Sequence, residues 1–217
     1  VLGKLKLLGL ILAAVAAANA VGAAAASAKV GEFTASQYEA LLDGNKVKGE
    51  PNALTIGAYE VECETSTFSA RLKKASTELT VTPAYANCQA AGLAVTAVGN
   101  GCGYVFHLEV GSGDAWPANV DIECPPGKSF EVRVFLEGDP GPEVCKFQIP
   151  EQKGRTGQTF IDHTTTETIE LTGSFKGLTY KQEGLCGKEE GKNAVRDITA
   201  LFQGTTLEGN ANGLVID

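Results

Sequence analysis

Six stretches of this chain alternate apolar and polar side chains with a period of two. That period limits what the chain can fold into more than any other feature does. Tyr59, Val61 and Cys63 alternate with Glu60, Glu62 and Glu64. Leu79 and Val81 alternate with Glu78, Thr80 and Thr82, and Ile169 and Leu171 with Thr168, Glu170 and Thr172. Tyr104, Phe106, Leu108 and Val110 alternate with Val105, His107 and Glu109. Val120, Ile122 and Cys124 flank Asp121 and Glu123, and Phe130, Val132, Val134 and Leu136 flank Glu131, Arg133 and Phe135. Successive side chains of a strand point to opposite faces, so each stretch predicts a strand with one dry and one wet side. Turn signals punctuate the runs: Asp43-Gly44-Asn45, Gly99-Asn100-Gly101, Pro125-Pro126-Gly127, Gly138-Asp139-Pro140-Gly141 and Gly184. Two segments, Ser36–Leu42 and Val195–Gln203, fit either a short helix or a strand; both are read as strands because their surroundings are β. The expected fold is all-β, an antiparallel β-sandwich or barrel-like body.

Six cysteines, Cys63, Cys88, Cys102, Cys124, Cys145 and Cys186, add a covalent constraint. None forms a C-x-x-C pair, which leaves zinc ribbons and thioredoxin-type motifs without support. An even count suits structural disulfides in an oxidising compartment. A break lies at Gly111-Ser112-Gly113-Asp114, ahead of Trp116-Pro117, with three cysteines on each side. If all six pair, at least one bridge crosses it. The mature chain is then one body, or two β halves stapled across residues 111–118. The expected pairing is Cys88–Cys102 and Cys124–Cys145 between neighbouring strands, with Cys63–Cys186 left by elimination.

Residues 1–28 read as an address, a helical secretory signal peptide. Lys4 and Lys6 precede an apolar run from Leu7 to Ala18, and no acid appears before Glu32. Ala26-Ser27-Ala28 offers a cut site that leaves Lys29 first; Ala18-Asn19-Ala20 offers another. Leu5–Ala28 is also long enough for an uncleaved anchor, though Asn19 and Gly22 interrupt it. Val1, in a chain without methionine, reads as a GTG start and hence a bacterial protein. The expectation is a secreted β-rich domain over residues 29–217, free of the membrane once the leader is cut.

The phrases Phe33-Thr34-Ala35-Ser36, Val61-Glu62-Cys63, Leu79-Thr80-Val81-Thr82-Pro83-Ala84-Tyr85 ahead of Cys88, and Asn100-Gly101-Cys102-Gly103-Tyr104-Val105-Phe106 resemble a family of secreted proteins of high-GC actinobacteria. The likeness covers most of the mature chain. It implies an exported, disulfide-bonded, β-rich product and carries over no activity.

Composition narrows function mainly by exclusion. A net charge of -8 argues against nucleic acid, whose phosphates need a basic face. Two histidines cannot make a three-histidine zinc site. His107 and Glu109 share one predicted sheet face and are a candidate binding pair for a proton or an ion. Asp162-His163 suggests a hydrolase couple, but strand neighbours face apart and no G-x-S-x-G elbow accompanies them. The Glu137–Glu143 loop offers oxygens to Ca²⁺ without EF-hand order. Trp116, the lone tryptophan, is either a stacking platform for a sugar or a cap on the core. Neither a cofactor nor a metal is expected. The reading is a non-catalytic extracellular β protein, with a binding or cell-envelope structural role toward a wall glycan or another secreted protein. The alternative is a secreted hydrolase that uses acidic residues on polysaccharide.

Overall fold

The computed structural model describes residues 29–136 and 141–217. The predicted signal peptide and positions 137–140 of the acidic loop lie outside the described residues. Every regular element among the described residues is a strand.

Four strands are long and continuous: β4 (Tyr59–Leu72), β5 (Glu78–Ala90), β12 (Thr168–Gly184) and β13 (Glu189–Thr205). The others come as collinear pairs. β2 (Ala40–Lys46) and β3 (Ala53–Ile56) both lie antiparallel to β4 and to β13. β6 (Leu93–Val98) and β7 (Gly103–Leu108) both lie on β5. β8 (Ala115–Glu123) continues as β9 (Phe130–Phe135), paired to β7 and β6 respectively. β10 (Glu143–Ile149) continues as β11 (Gln152–His163); they pair with β9 and β8 on one side and with β12 on the other. Since β12 pairs with β13 and β4 with β5, eight antiparallel rungs follow one another in chain order and the last meets the first. The result is a closed up-and-down barrel, which leaves no long sheet edge open.

The turn signals explain the breaks within rungs. Asn100 and Gly101 take positive φ (52° and 84°) between β6 and β7, and Cys102 N–H bonds to Gly99 O at 2.8 Å. Pro125-Pro126-Gly127 separates β8 from β9, and Pro150, which has no N–H to give, separates β10 from β11. Asp43-Gly44-Asn45 departs from expectation and lies inside β2. Gly44 is required there by packing, because a Cβ would stand 2.6 Å from the Phe202 ring. Val195–Gln203 lies within β13, as a strand, whereas of Ser36–Leu42 only Ala40–Leu42 is strand, the start of β2, and residues 36–39 form a bend ahead of it, with Glu39 at φ 65°.

Alternation becomes inside and outside. Val61, Leu79, Val81, Phe106, Val120, Ile122, Val132, Leu171 and Phe202 fill the interior, and Glu60, Glu62, Glu64, Thr80 and Thr82 face solvent. Val110 and Leu136, predicted inward, are exposed because β7 ends at Leu108 and β9 at Phe135. A short ribbon, β1 (Phe33–Ala35) on β15 (Leu214–Ile216), is laid across one end of the barrel, while β14 (Ala211–Asn212) adds to β13. Phe33 is fully buried there, edge-on to Phe160, which is edge-on to Phe106.

The disulfides are Cys63–Cys88, Cys102–Cys124 and Cys145–Cys186. The expected pairing is overturned, for reasons of register. Cys88 lies opposite Cys63 on one side and Val95 on the other. Cys102 is seven residues beyond Val95 along the neighbouring rung, so it stands roughly 20 Å from Cys88 at strand rise. Cys145 likewise faces Val134, far from Cys124. One bridge, Cys102–Cys124, does cross residues 111–118, as parity requires. That break is simply the β7–β8 turn of one body.

Loops of this length give a bridge about 3 kcal/mol. Replacing Cys102 and Cys124 together by alanine should therefore lower unfolding free energy by about that much in urea titrations while leaving the strand signal in circular dichroism unchanged. Non-reducing peptide mapping should return the three pairs above.

Candidate functional site

The barrel lumen is mostly apolar; Ser66, Gln158 and Asp162 are buried at inward positions, and Arg196 is the one buried cation among the described residues. Arg196, on β13, is 5% exposed and lies in phase with Ile198, Ala200 and Phe202, the inward residues of its strand. Its Nη1 donates to the Asp197 carbonyl at 2.9 Å and its Nη2 donates to Asn52 Oδ1. Its guanidinium sits 5.2 Å from the centroid of the Tyr85 ring, a cation–π contact. The Tyr85 and Tyr104 hydroxyls are 2.9 Å apart. All these partners are neutral. The nearest acid in sequence, Asp197, takes the hydroxyl of Ser174 instead. No carboxylate among the described residues lies within 4.0 Å of the Arg196 nitrogens, whereas the surface cations Arg71, Arg133, Lys146 and Lys181 all have one.

A cavity of about 40 Å³ adjoins this cation. Arg196, Tyr85 and Tyr104 line it together with apolar groups, among them Val61, Ile122, Phe130, Val132, Ile149 and Leu178. Burial pushes the Tyr104 phenol well above its usual range, Tyr85 adds to the push, and Arg196 opposes it. Tyr104 is thus a neutral hydroxyl at any ordinary pH. Burial also works against the charge of Arg196, but the phenol oxygens of Tyr85 and Tyr104 outweigh it and hold the guanidinium above its ordinary value. A charge removed from water costs several kcal/mol unless a counter-charge answers it. Here neutral groups answer it, the hydrogen-bond acceptors and a ring face, with no carboxylate among the described residues.

The wall beside this cavity has a gap. On the side of β5 away from β4, pairing with β7 stops at Val81 and pairing with β6 resumes at Cys88. Tyr85 lies between those points, half-buried, and Val98 at the end of β6 is 37% exposed. The divergence of β6 and β7 at Gly99–Cys102 makes this gap.

The residues singled out from sequence lie elsewhere. His107 stands on the outer face between Glu78 (Nδ1 to Oε1, 3.1 Å) and Asp121 (Nε2 to Oδ2, 3.4 Å). Glu109 accepts from Asn119 Nδ2 at 2.6 Å, so the two members of the expected pair find separate partners. Trp116 is half-buried over the end of the barrel, its ring against Gly31 and Gly111; a Cβ on either would stand 2.6 Å or 2.3 Å from the ring. Asp162 points inward and His163 outward to Glu170, at 3.1 Å, as strand geometry demands. Arg196 and Tyr85 were missed by sequence reasoning. The signal was present: both share the parity of the apolar residues in their strands, Tyr85 with Leu79 and Val81.

A second concavity, of about 350 Å³, lies on the surface between Gln37–Glu39 and Thr206–Ala211. It holds two carboxylates, Glu39, which Arg71 grips at 2.5 Å, and Glu208. Comparison with protein-family models, curated proteins and solved structures returned no match.

Asp162 yields a prediction with a definite sign. Its Oδ2 accepts the Ile216 N–H at 3.2 Å, which ties β15 to β11. Burial pushes the carboxyl above its ordinary value, the Ile216 N–H restrains it, and Asp114 and Asp217 add to the rise. A raised folded-state value means stability is greatest while the group is protonated and falls as pH climbs from the ordinary carboxylate range through the raised one. Asp162→Asn keeps an acceptor for Ile216 and removes the charge. Urea unfolding should find the variant level with the parent near pH 3 and more stable at pH 7; the opposite trend would contradict this account.

Proposed function

We propose that this chain is an exported, non-catalytic binding protein that holds a small ligand inside its barrel. The observation that carries the reading is Arg196, a buried cation without a counter-charge beside an apolar cavity and a gap in the wall. Natural interiors rarely keep a charge that only neutral groups answer. Three disulfides between neighbouring rungs agree with an oxidising compartment, as the predicted leader and the resemblance to exported actinobacterial proteins also suggest. The outer face, with its stripe Glu60, Glu62 and Glu64, is wet and acidic, the reverse of a lipid-facing barrel surface. An acidic exterior favours solubility and disfavours anionic polymers, so a wall glycan or a secreted protein would dock elsewhere than on this stripe.

The second reading is a hydrolase that acts on polysaccharide, and it has one feature in its favour, the surface concavity that holds Glu39 and Glu208. A thermal-shift screen of small apolar acids, amides and sugars, run beside a glycoside, ester and peptide substrate panel, separates the two. Binding predicts saturable shifts in melting temperature and no turnover. Turnover lost in Glu208→Gln or Glu39→Gln would replace the binding reading with the enzymatic one.

A further inference from the structure

From the geometry of the lumen we infer the ligand's chemical class: a small carboxylate with a short apolar tail, its carboxylate on Arg196 and its tail in the gap beside Tyr85 and Val98. This rests on the reading of the barrel as a binding protein and adds the part of the ligand that the site recognises.

The donors can be counted. A guanidinium has five N–H groups. Asp197 O and Asn52 Oδ1 take two of them, and the hydroxyl oxygens of Tyr85 and Tyr104 also accept from the guanidinium, so a single N–H is left for a further acceptor. Tyr85 and Tyr104 bring two O–H groups, and the one hydrogen bond between them uses a single proton. The other proton is free to donate, whichever tyrosine holds it. Tyr104 stays un-ionised because burial holds its phenol up, so this donor survives across the physiological range. The site therefore presents a fixed cation, a free hydroxyl donor and no competing carboxylate among the described residues. That set calls for an acceptor-only, negatively charged head. A hydrogen bond from a guanidinium N–H to a carboxylate is of the strong, charge-assisted kind.

Size and polarity choose the rest. A water needs about 10–15 Å³ of such volume, so a cavity of about 40 Å³ takes about three heavy atoms; a carboxylate head fills it, and the tail lies beyond it, in the gap beside Tyr85 and Val98. The walls beyond the polar cluster are hydrocarbon, which penalises a hydrated inorganic anion such as phosphate and rewards a few methylenes. Glu131 also borders the cavity, but Arg133 chiefly, with Lys146, holds its carboxylate ionised and salt-bridged, so its charge is answered away from Arg196. The gap beside Tyr85 is also the way in.

The test uses the exported full-length protein and calorimetric titration with acetate, butyrate, octanoate, butyramide and inorganic phosphate. Butyrate should bind at least about tenfold tighter than its uncharged isostere butyramide and than phosphate. Tyr85→Phe with Tyr104→Phe keeps both rings and removes both hydroxyls, and should weaken butyrate about tenfold. Arg196→Met should abolish butyrate binding; if that variant does not fold, the acid–amide comparison and the tyrosine variant still decide. Equal binding of butyrate and butyramide, or unchanged butyrate affinity without the hydroxyls, overturns the carboxylate assignment and leaves lumenal binding standing. Phosphate binding as tight as butyrate overturns the apolar-tail half. Absence of binding for every compound, acid and amide alike, overturns both this assignment and the reading beneath it.

Discussion

The ladder between β13 and the β2–β3 rung is the contact on which the rest depends. From Ala200–Lys46 to Thr205–Leu41, and again at Val195–Thr55, it joins the last rung to the first. Without it the same strands would form an open sheet with two long edges, and the inward side chains would face water. With it, every rung has two neighbours, and Arg196 stands out in the interior as the one buried cation among the described residues. The lumenal cation and its cavity exist as a site only because this seam is shut.

What the sequence disclosed follows from how local each signal is. Period-two alternation is a property of neighbouring residues, so strands, their inner faces and the turns at Asn100–Gly101 and Pro125–Gly127 were legible. The choice between sandwich and barrel depends on a ladder between residues about 150 positions apart, and nothing in either strand names the other. The disulfide pairing failed for the same reason. Neighbouring strands alone do not bring cysteines together; register places Cys88 opposite Cys63 and carries Cys102 away along its rung. Gly44 shows the converse error. Its Asp-Gly-Asn setting has turn chemistry, but the Phe202 ring needs the space a side chain would take.

Arg196 was legible in part. Its parity with Ile198, Ala200 and Phe202 marks it as inward, and an arginine inside a barrel is an anomaly in need of a reason. Its partners Asn52, Tyr85 and Tyr104 come from three other rungs or their connections, and only the closed ring assembles them. His107, Asp162 and Trp116, the residues with the most chemistry to offer, are tied to scaffold: a hydrogen bond to Glu78 on the outer face, an anchor for β15 and a cover over the barrel end.

Cys63–Cys88 and Cys102–Cys124 join rungs adjacent in the meander, Cys145–Cys186 joins β10 to the β12–β13 turn, and none spans the seam between β13 and β2. Oxidation can therefore lock hairpin-like pieces early while the ring stays open, because each bridge closes a loop of only 22 to 41 residues. Sealing the seam and laying down the terminal ribbon must wait until the whole polypeptide is available, since both need partners from opposite ends of the sequence. Such high contact order makes the final closure the slow event in refolding. Until it happens, the raw edges of the first and last rungs are the surfaces a chaperone would have to guard.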